Sequence, residues 1–123
     1  MENNRQEQVE ALEVLEGFNE RLLKNMGIIV KELSGRRLDD TDEFLKAIID
    51  AINWEIQVVN GTISLLNDGE NRLDKETFNK AIVELNDAIL SKNDEGMAQK
   101  FEAAIPEFEK LQNVVHTVLK VEK

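Results

Sequence analysis

Cysteine is absent from the 123-residue chain. Without thiols it has neither a disulfide framework nor thiolate metal ligation, and a reducing compartment suits it. Long apolar runs are missing too: nothing approaches the ~18 consecutive apolar residues of a membrane span, so no membrane partner is expected. The opening segment MENNRQEQVE is polar and lacks the apolar core of a secretory signal. These features predict a soluble, cytoplasmic protein. A surplus of basic residues is also lacking. Fifteen Lys and Arg stand against 25 Asp and Glu, a net charge of −10 with a pI near 4.6. That charge repels phosphate backbones, which argues against nucleic acid as a partner. The acids are interspersed with lysines and arginines, as on the outer faces of helices; the alternative use of such a surface is display to a basic partner.

Histidine and proline occur once each, as His116 and Pro106. A di-iron bundle needs Glu-x-x-His on two helices, so one histidine cannot build it. A phosphotransfer histidine should sit mid-helix in a formed bundle, whereas His116 lies close to the C-terminus between Val115 and Val118. It reads as a structural or surface residue.

What the chain has in abundance is helical periodicity. Apolar residues return every three or four positions almost throughout, the spacing of one helix face. At this length a single domain, residues 1–123, buries roughly two thirds of the surface its unfolded form exposes and folds without staples. The first helix is predicted from about Arg5 to Ser34, with Leu12, Leu15, Leu22, Met26, Ile29 and Leu33 inward and Gly35 as its stop. A second opens with Asp40 as cap and Glu43 three residues on. Its core stripe is read as Phe44, Ile48, Ile52, Ile56, Val59, Ile63 and Leu66. A further apolar line, Ala47, Ala51, Trp54, Val58 and Leu65, lies on another side of this helix, which therefore needs cover on two sides. Asn60-Gly61 between β-branched flanks is a hairpin signal. The apolar spacing runs straight through it, so a helix with a kink or break near Gly61 is expected.

The polar segment from Asn67 to Asn71 separates a third helix, capped by Asp74 and carrying Phe78, Ile82, Leu85 and Ile89. After Ser91-Lys92-Asn93 a fourth runs from about Asp94 with Met97, Phe101, Ile105, Phe108, Leu111, Val115 and Val118. It contains Pro106, which removes a backbone donor and crowds the Glu102 carbonyl, so a bent helix is expected there. The fold class is all-α, an antiparallel four-helix bundle with its last helix kinked at the proline. Phe-x-Lys-Ala-Ile occurs at both Phe44 and Phe78, an echo that two capped amphipathic helices produce without duplication.

No catalytic constellation emerges. The segment from Ser91 to Glu102 places Asn93, Gly96 and Glu102 as in a calcium loop, but Ser91 stands where the first aspartate belongs, and helix capping explains the same residues. Asp39, Asp40, Asp42 and Glu43 likewise read as charge at a helix start. No carboxylate is set apart by an apolar environment that would tune it for acid catalysis.

Ala51-Ile52-Asn53-Trp54, the run from Ala81 to Leu90, Phe101-Glu102 and Pro106 together resemble an uncharacterised family of small helical proteins from Firmicutes bacteria, over about Leu22 to Leu111. The resemblance implies a helical fold and a bacterial cytoplasmic setting, and no mechanism. The function expected is a non-catalytic protein-protein interaction module without cofactor or metal. It offers an apolar face, with Trp54 and Val58 as anchors, to a protein partner or to a second copy. The alternatives are a secretion or flagellar export chaperone and a carboxylate-based metal-binding protein or enzyme.

Overall fold

Each of the four apolar stripes becomes a helix. The computed structural model describes residues 2–122: α1 spans Glu2–Leu33, α2 Thr41–Leu66, α3 Lys75–Ser91 and α4 Asp94–Glu122. The ends of the expected 1–123 domain, Met1 and Lys123, lie outside the described residues. Local chemistry accounts for most boundaries. Gly35 takes φ 108° beyond α1 and Gly69 takes φ 78° in the turn after α2, conformations that side chains with a Cβ disfavour. Asp74 caps α3 as expected: its carboxylate accepts the Glu76 and Thr77 amides at 3.1 and 3.3 Å. Asn93 Oδ1 accepts the Gly96 amide at 3.1 Å at the start of α4.

The start of α2 differs from the expected capping box. Asp40 occupies the cap position, but its side chain makes no capping bond. Thr41 does the work. Its hydroxyl accepts the Leu38 amide at 2.7 Å and donates to Glu32 Oε1 at 2.7 Å, tying the entry of α2 to the last turn of α1. Gly61 does not interrupt α2, which is one element through it. The side-chain packing of Val59 and Thr62, both buried, holds the helical face where an isolated hairpin would find no sheet to join. Helix α4 is likewise one element through Pro106.

Packing runs through α1. It makes its most extensive contact with α4 and the next with α2; α3 lies against α4, and α2 touches α4 only slightly. Phe78 and Phe108 meet edge to face at 5.1 Å where α3 crosses α4. At one end, Arg5 near the start of α1 reaches Glu122 at the end of α4 (2.6 and 3.0 Å) and Asp68 just after α2 (3.2 Å). At the other, Arg37 beyond the end of α1 forks onto Asp94 at the start of α4 (2.6 and 3.0 Å) and onto Asp42 (2.8 Å). So α1 runs opposite to both α2 and α4, with an arginine clamp at either end. These partners hold the Asp94 and Glu122 carboxyls below the usual carboxylate range.

The buried line of α2 is not the one its apolar letters suggest. Phe44, Ile56 and Ile63 are half-buried, and the line facing the core is Thr41, Leu45, Ile48, Ile52, Glu55, Val59, Thr62 and Leu66. On α1 it is Leu12, Leu15, Asn19, Leu22, Met26, Ile29 and Leu33. Both lines step by alternating threes and fours, the spacing of a coiled-coil seam.

Gly61 is exposed, and a Cβ built on it meets nothing within 4 Å. Replacing it with alanine removes a helix-weakening residue at no steric cost, so Gly61→Ala is expected to stabilise the fold by about 0.5–1 kcal/mol, read as a higher denaturation midpoint in urea with unchanged slope.

Candidate functional site

Two features of the α1–α2 pair stand out: an apolar groove on its outside and a carboxylic acid sealed inside. On the outer side, Phe18 of α1 and Trp54 of α2 stack with ring centroids 4.7 Å apart and planes tilted by 54°. Trp54 is 37% exposed. The Arg21 guanidinium lies 6.0 Å from the centre of the Phe18 ring. Toward the start of α2, a cavity of about 150 Å³ opens between Phe18, Arg21, Leu22 and Asn25 on α1 and Phe44, Ala47, Ile48 and Ala51 on α2. Toward its end lies another of about 370 Å³, lined by Glu7, Gln8 and Ala11 on α1 and Val58, Gly61 and Thr62 on α2. The ring pair stands between the two along the α1–α2 seam, and the rings with the cavities on either side make up the groove. Val14 on the adjoining turn of α1 is 59% exposed.

The second apolar line of α2 thus forms one wall of this groove. Trp54 stands half out of it, and Val58 is half-buried at its floor, packed against the core margin. Leu65 departs from that line and is buried near the end of the helix. Phe18, on the opposite wall, is not singled out by the sequence because it falls off the α1 core stripe.

Beneath the groove sits Glu55. It has no exposed surface, and neither of its carboxyl oxygens accepts a hydrogen bond. Burial alone pushes its pKa up from 4.5 to about 8. The expectation that no carboxylate occupies an apolar setting is therefore corrected: Glu55 takes a core position between Ile52 and Val59 on the buried line. The signal was its place in the three-and-four spacing, hidden because Ile56, one residue on, offered an apolar letter instead.

Asn19 of α1 is also fully buried. Its Nδ2 donates to the Phe108 carbonyl at 3.0 Å and to Gln112 Oε1 at 2.9 Å, both on α4, while its Oδ1 has no partner. Gln112 Nε2 donates back to the Glu16 carbonyl at 3.2 Å. The Glu16 carboxylate meets His116 Nδ1 at 3.1 Å on the surface, so the single histidine is an exposed member of the α1–α4 contact. In the segment weighed for calcium, Asn93 caps α4 and Asp94 is held by Arg37.

A family model matches residues 10–114, which takes in all of α2 and α3 and most of α1 and α4. The chain belongs to the family described as domain of unknown function DUF8042. No curated protein and no solved structure matches it. Among the described residues, no helix is long and apolar enough to cross a membrane.

Glu55 makes stability depend on pH in a definite direction. Its folded-state pKa lies above that of the unfolded chain, so from 4.5 to about 8 the folded state holds one proton more. Stability is expected to fall across that window by about 1.4 kcal/mol per pH unit at most. The acids Asp74, Asp94 and Glu122 have lowered pKa values and act oppositely, losing their contribution as pH falls through the acid range. Denaturant titrations between pH 5 and 9 check this: the slope seen in the native chain should flatten in Glu55→Gln.

Proposed function

We propose that this protein is a non-catalytic binding module whose α1–α2 groove receives an amphipathic helix with basic flanks, in a bacterial cytoplasmic setting. The observation that carries the reading is the Phe18–Trp54 pair. Two large aromatics stand partly exposed between two cavities on the α1–α2 seam, a central position where such side chains contribute most to an interface. A helix laid along it would press apolar residues spaced three and four apart onto the rings and into the cavities on either side.

Charge selects the occupant. The net charge is −10, and Glu7, Glu10, Glu43 and Asp50 are exposed on turns bordering the groove, with Arg21 drawn down over Phe18. Lysines or arginines flanking the apolar face of a partner complement such a rim, whereas a second copy brings another −10 to it. An export chaperone holding the apolar helix of a client is one form this module takes. Glu55 does not favour a carboxylate enzyme, since a fully buried group is out of reach of a substrate.

Trp54 is the only tryptophan, so its fluorescence reports the groove directly. Titration with a synthetic amphipathic helix flanked by lysines is expected to give a saturable shift that weakens with rising salt, and the same peptide with glutamates in place of the lysines none. Val58→Asp should abolish the shift while the chain stays helical. A Trp54 signal indifferent to the lysine peptide sinks the reading. A dimer that dissociates on dilution and is lost in Val58→Asp makes a second copy the occupant instead.

A further inference from the structure

The buried lines of α1 and α2 pair layer by layer. Because the helices run oppositely and Glu32 bonds Thr41 at one end of the seam, Leu33 falls opposite Thr41, Ile29 opposite Leu45, Met26 opposite Ile48 and Leu22 opposite Ile52. The next layer is Asn19 opposite Glu55. The contact of Phe18 with Trp54, each the preceding residue in sequence, places those two turns at the same height independently. Above and below are Leu15 with Val59 and Leu22 with Ile52, so this polar layer lies between apolar ones.

Its hydrogen-bond inventory decides the protonation state. Asn19 Nδ2 is committed to the Phe108 carbonyl and to Gln112 Oε1, and Gln112 Nε2 to the Glu16 carbonyl, so the amide orientations are fixed and Asn19 turns an acceptor oxygen away from α4. Glu55 Oε1 and Oε2 and Asn19 Oδ1 are then three buried oxygens without a donor among them. An ionised carboxylate would set acceptor against acceptor in an apolar core; a carboxylic acid supplies the missing O–H.

We infer that Glu55 keeps its proton in the folded chain and donates it to Asn19 Oδ1, closing a polar layer across α2, α1 and α4, and that loss of this proton loosens α2 from α1. The relay then reads Glu55 O–H to Asn19 Oδ1, Asn19 Nδ2–H to Gln112 Oε1 and the Phe108 carbonyl, and Gln112 Nε2–H to the Glu16 carbonyl. Nothing charged offsets the burial of Glu55, which is the sole cause of its raised proton affinity. On α1, the Glu16 carboxylate is turned to His116 and Arg21 lies over Phe18; on α4, the polar side chain at this height is the neutral Gln112, and His116 is on the surface. On α2 itself, Asp50 is exposed. The effect falls on α2 because α1 supplies nearly all of its packing. Above its titration, the ionised carboxylate faces Asn19 Oδ1 with no counter-charge, and the seam must part to hydrate it. A single polar layer of this kind also sets register, since sliding either helix by one turn strands both groups in apolar layers.

Infrared difference spectroscopy of the intact chain tests this. At pH 6 a protonated-carboxyl C=O band is expected at the position of a hydrogen-bonded acid, absent in Glu55→Gln. In Asn19→Leu it should move to the higher wavenumber of an acid without an acceptor. No such band at pH 6, a band already at the free-acid position in the native chain, or one unmoved by Asn19→Leu overturns the shared proton. Hydrogen exchange supplies a test on the unaltered protein. Between pH 6 and 9.5, after correction for intrinsic rates, α2 amides should lose at least tenfold in protection relative to those of α3, and should not in Glu55→Gln. Equal loss in both helices, or none, overturns the selective loosening.

Discussion

The fold depends on α1 having two partners at once. One side of this helix is covered by α2 and another by α4, while α2 and α4 scarcely meet and α3 reaches the assembly through α4. In a square bundle each helix has two neighbours of similar weight; here the two central helices carry the outer ones. That constraint explains why α1 is the longest element, why its buried line is unbroken from Leu12 to Leu33, and why both arginine clamps are anchored at its ends. The clamps are exposed, so they fix alignment more than they add stability.

The same constraint accounts for the groove. A helix held on one side presents its other surfaces to solvent, and those of α2 are not all polar. Ala47, Ala51, Trp54 and Val58 form a wall against which α1 sets Ala11 and Phe18. Among the described residues, no fifth helix covers it. Apolar surface retained in this way weakens the isolated molecule's case for burying everything, and it is where a recognition role finds its physical footing.

Periodicity made most of the architecture legible. The four helices, the Asp74 cap and the core roles of Leu12, Ile52, Phe78 and Phe108 follow from spacing and chemistry alone. Trp54 and Val58 were visible as surplus apolar surface on α2, although their neighbours across the groove were not. What stayed hidden was polar and buried. Asn19 and Glu55 sit on their stripes in strict step with the leucines and isoleucines, but pattern reading follows apolar letters, and Ile56 drew the stripe aside by one residue, a 100° turn of the helix. At Gly61 the apolar spacing rightly outweighed the hairpin signal. The glycine's local turn preference is genuine, and the burial of Val59 and Thr62 on either side overrode it.

The order of contacts also bears on how the chain comes together. α1 with α2, and α3 with α4, are neighbours in sequence joined by short connections, whereas the α1–α4 contact joins residues as far apart as Arg5 and Glu122. Contacts within each pair are thus local in sequence, and the α1–α4 contact, in which Asn19 meets Phe108 and Gln112, is the extensive one of long sequence separation. Asn19, the polar side chain that one pair carries into the other, leaves its amide unpaired in any packing that misaligns the two.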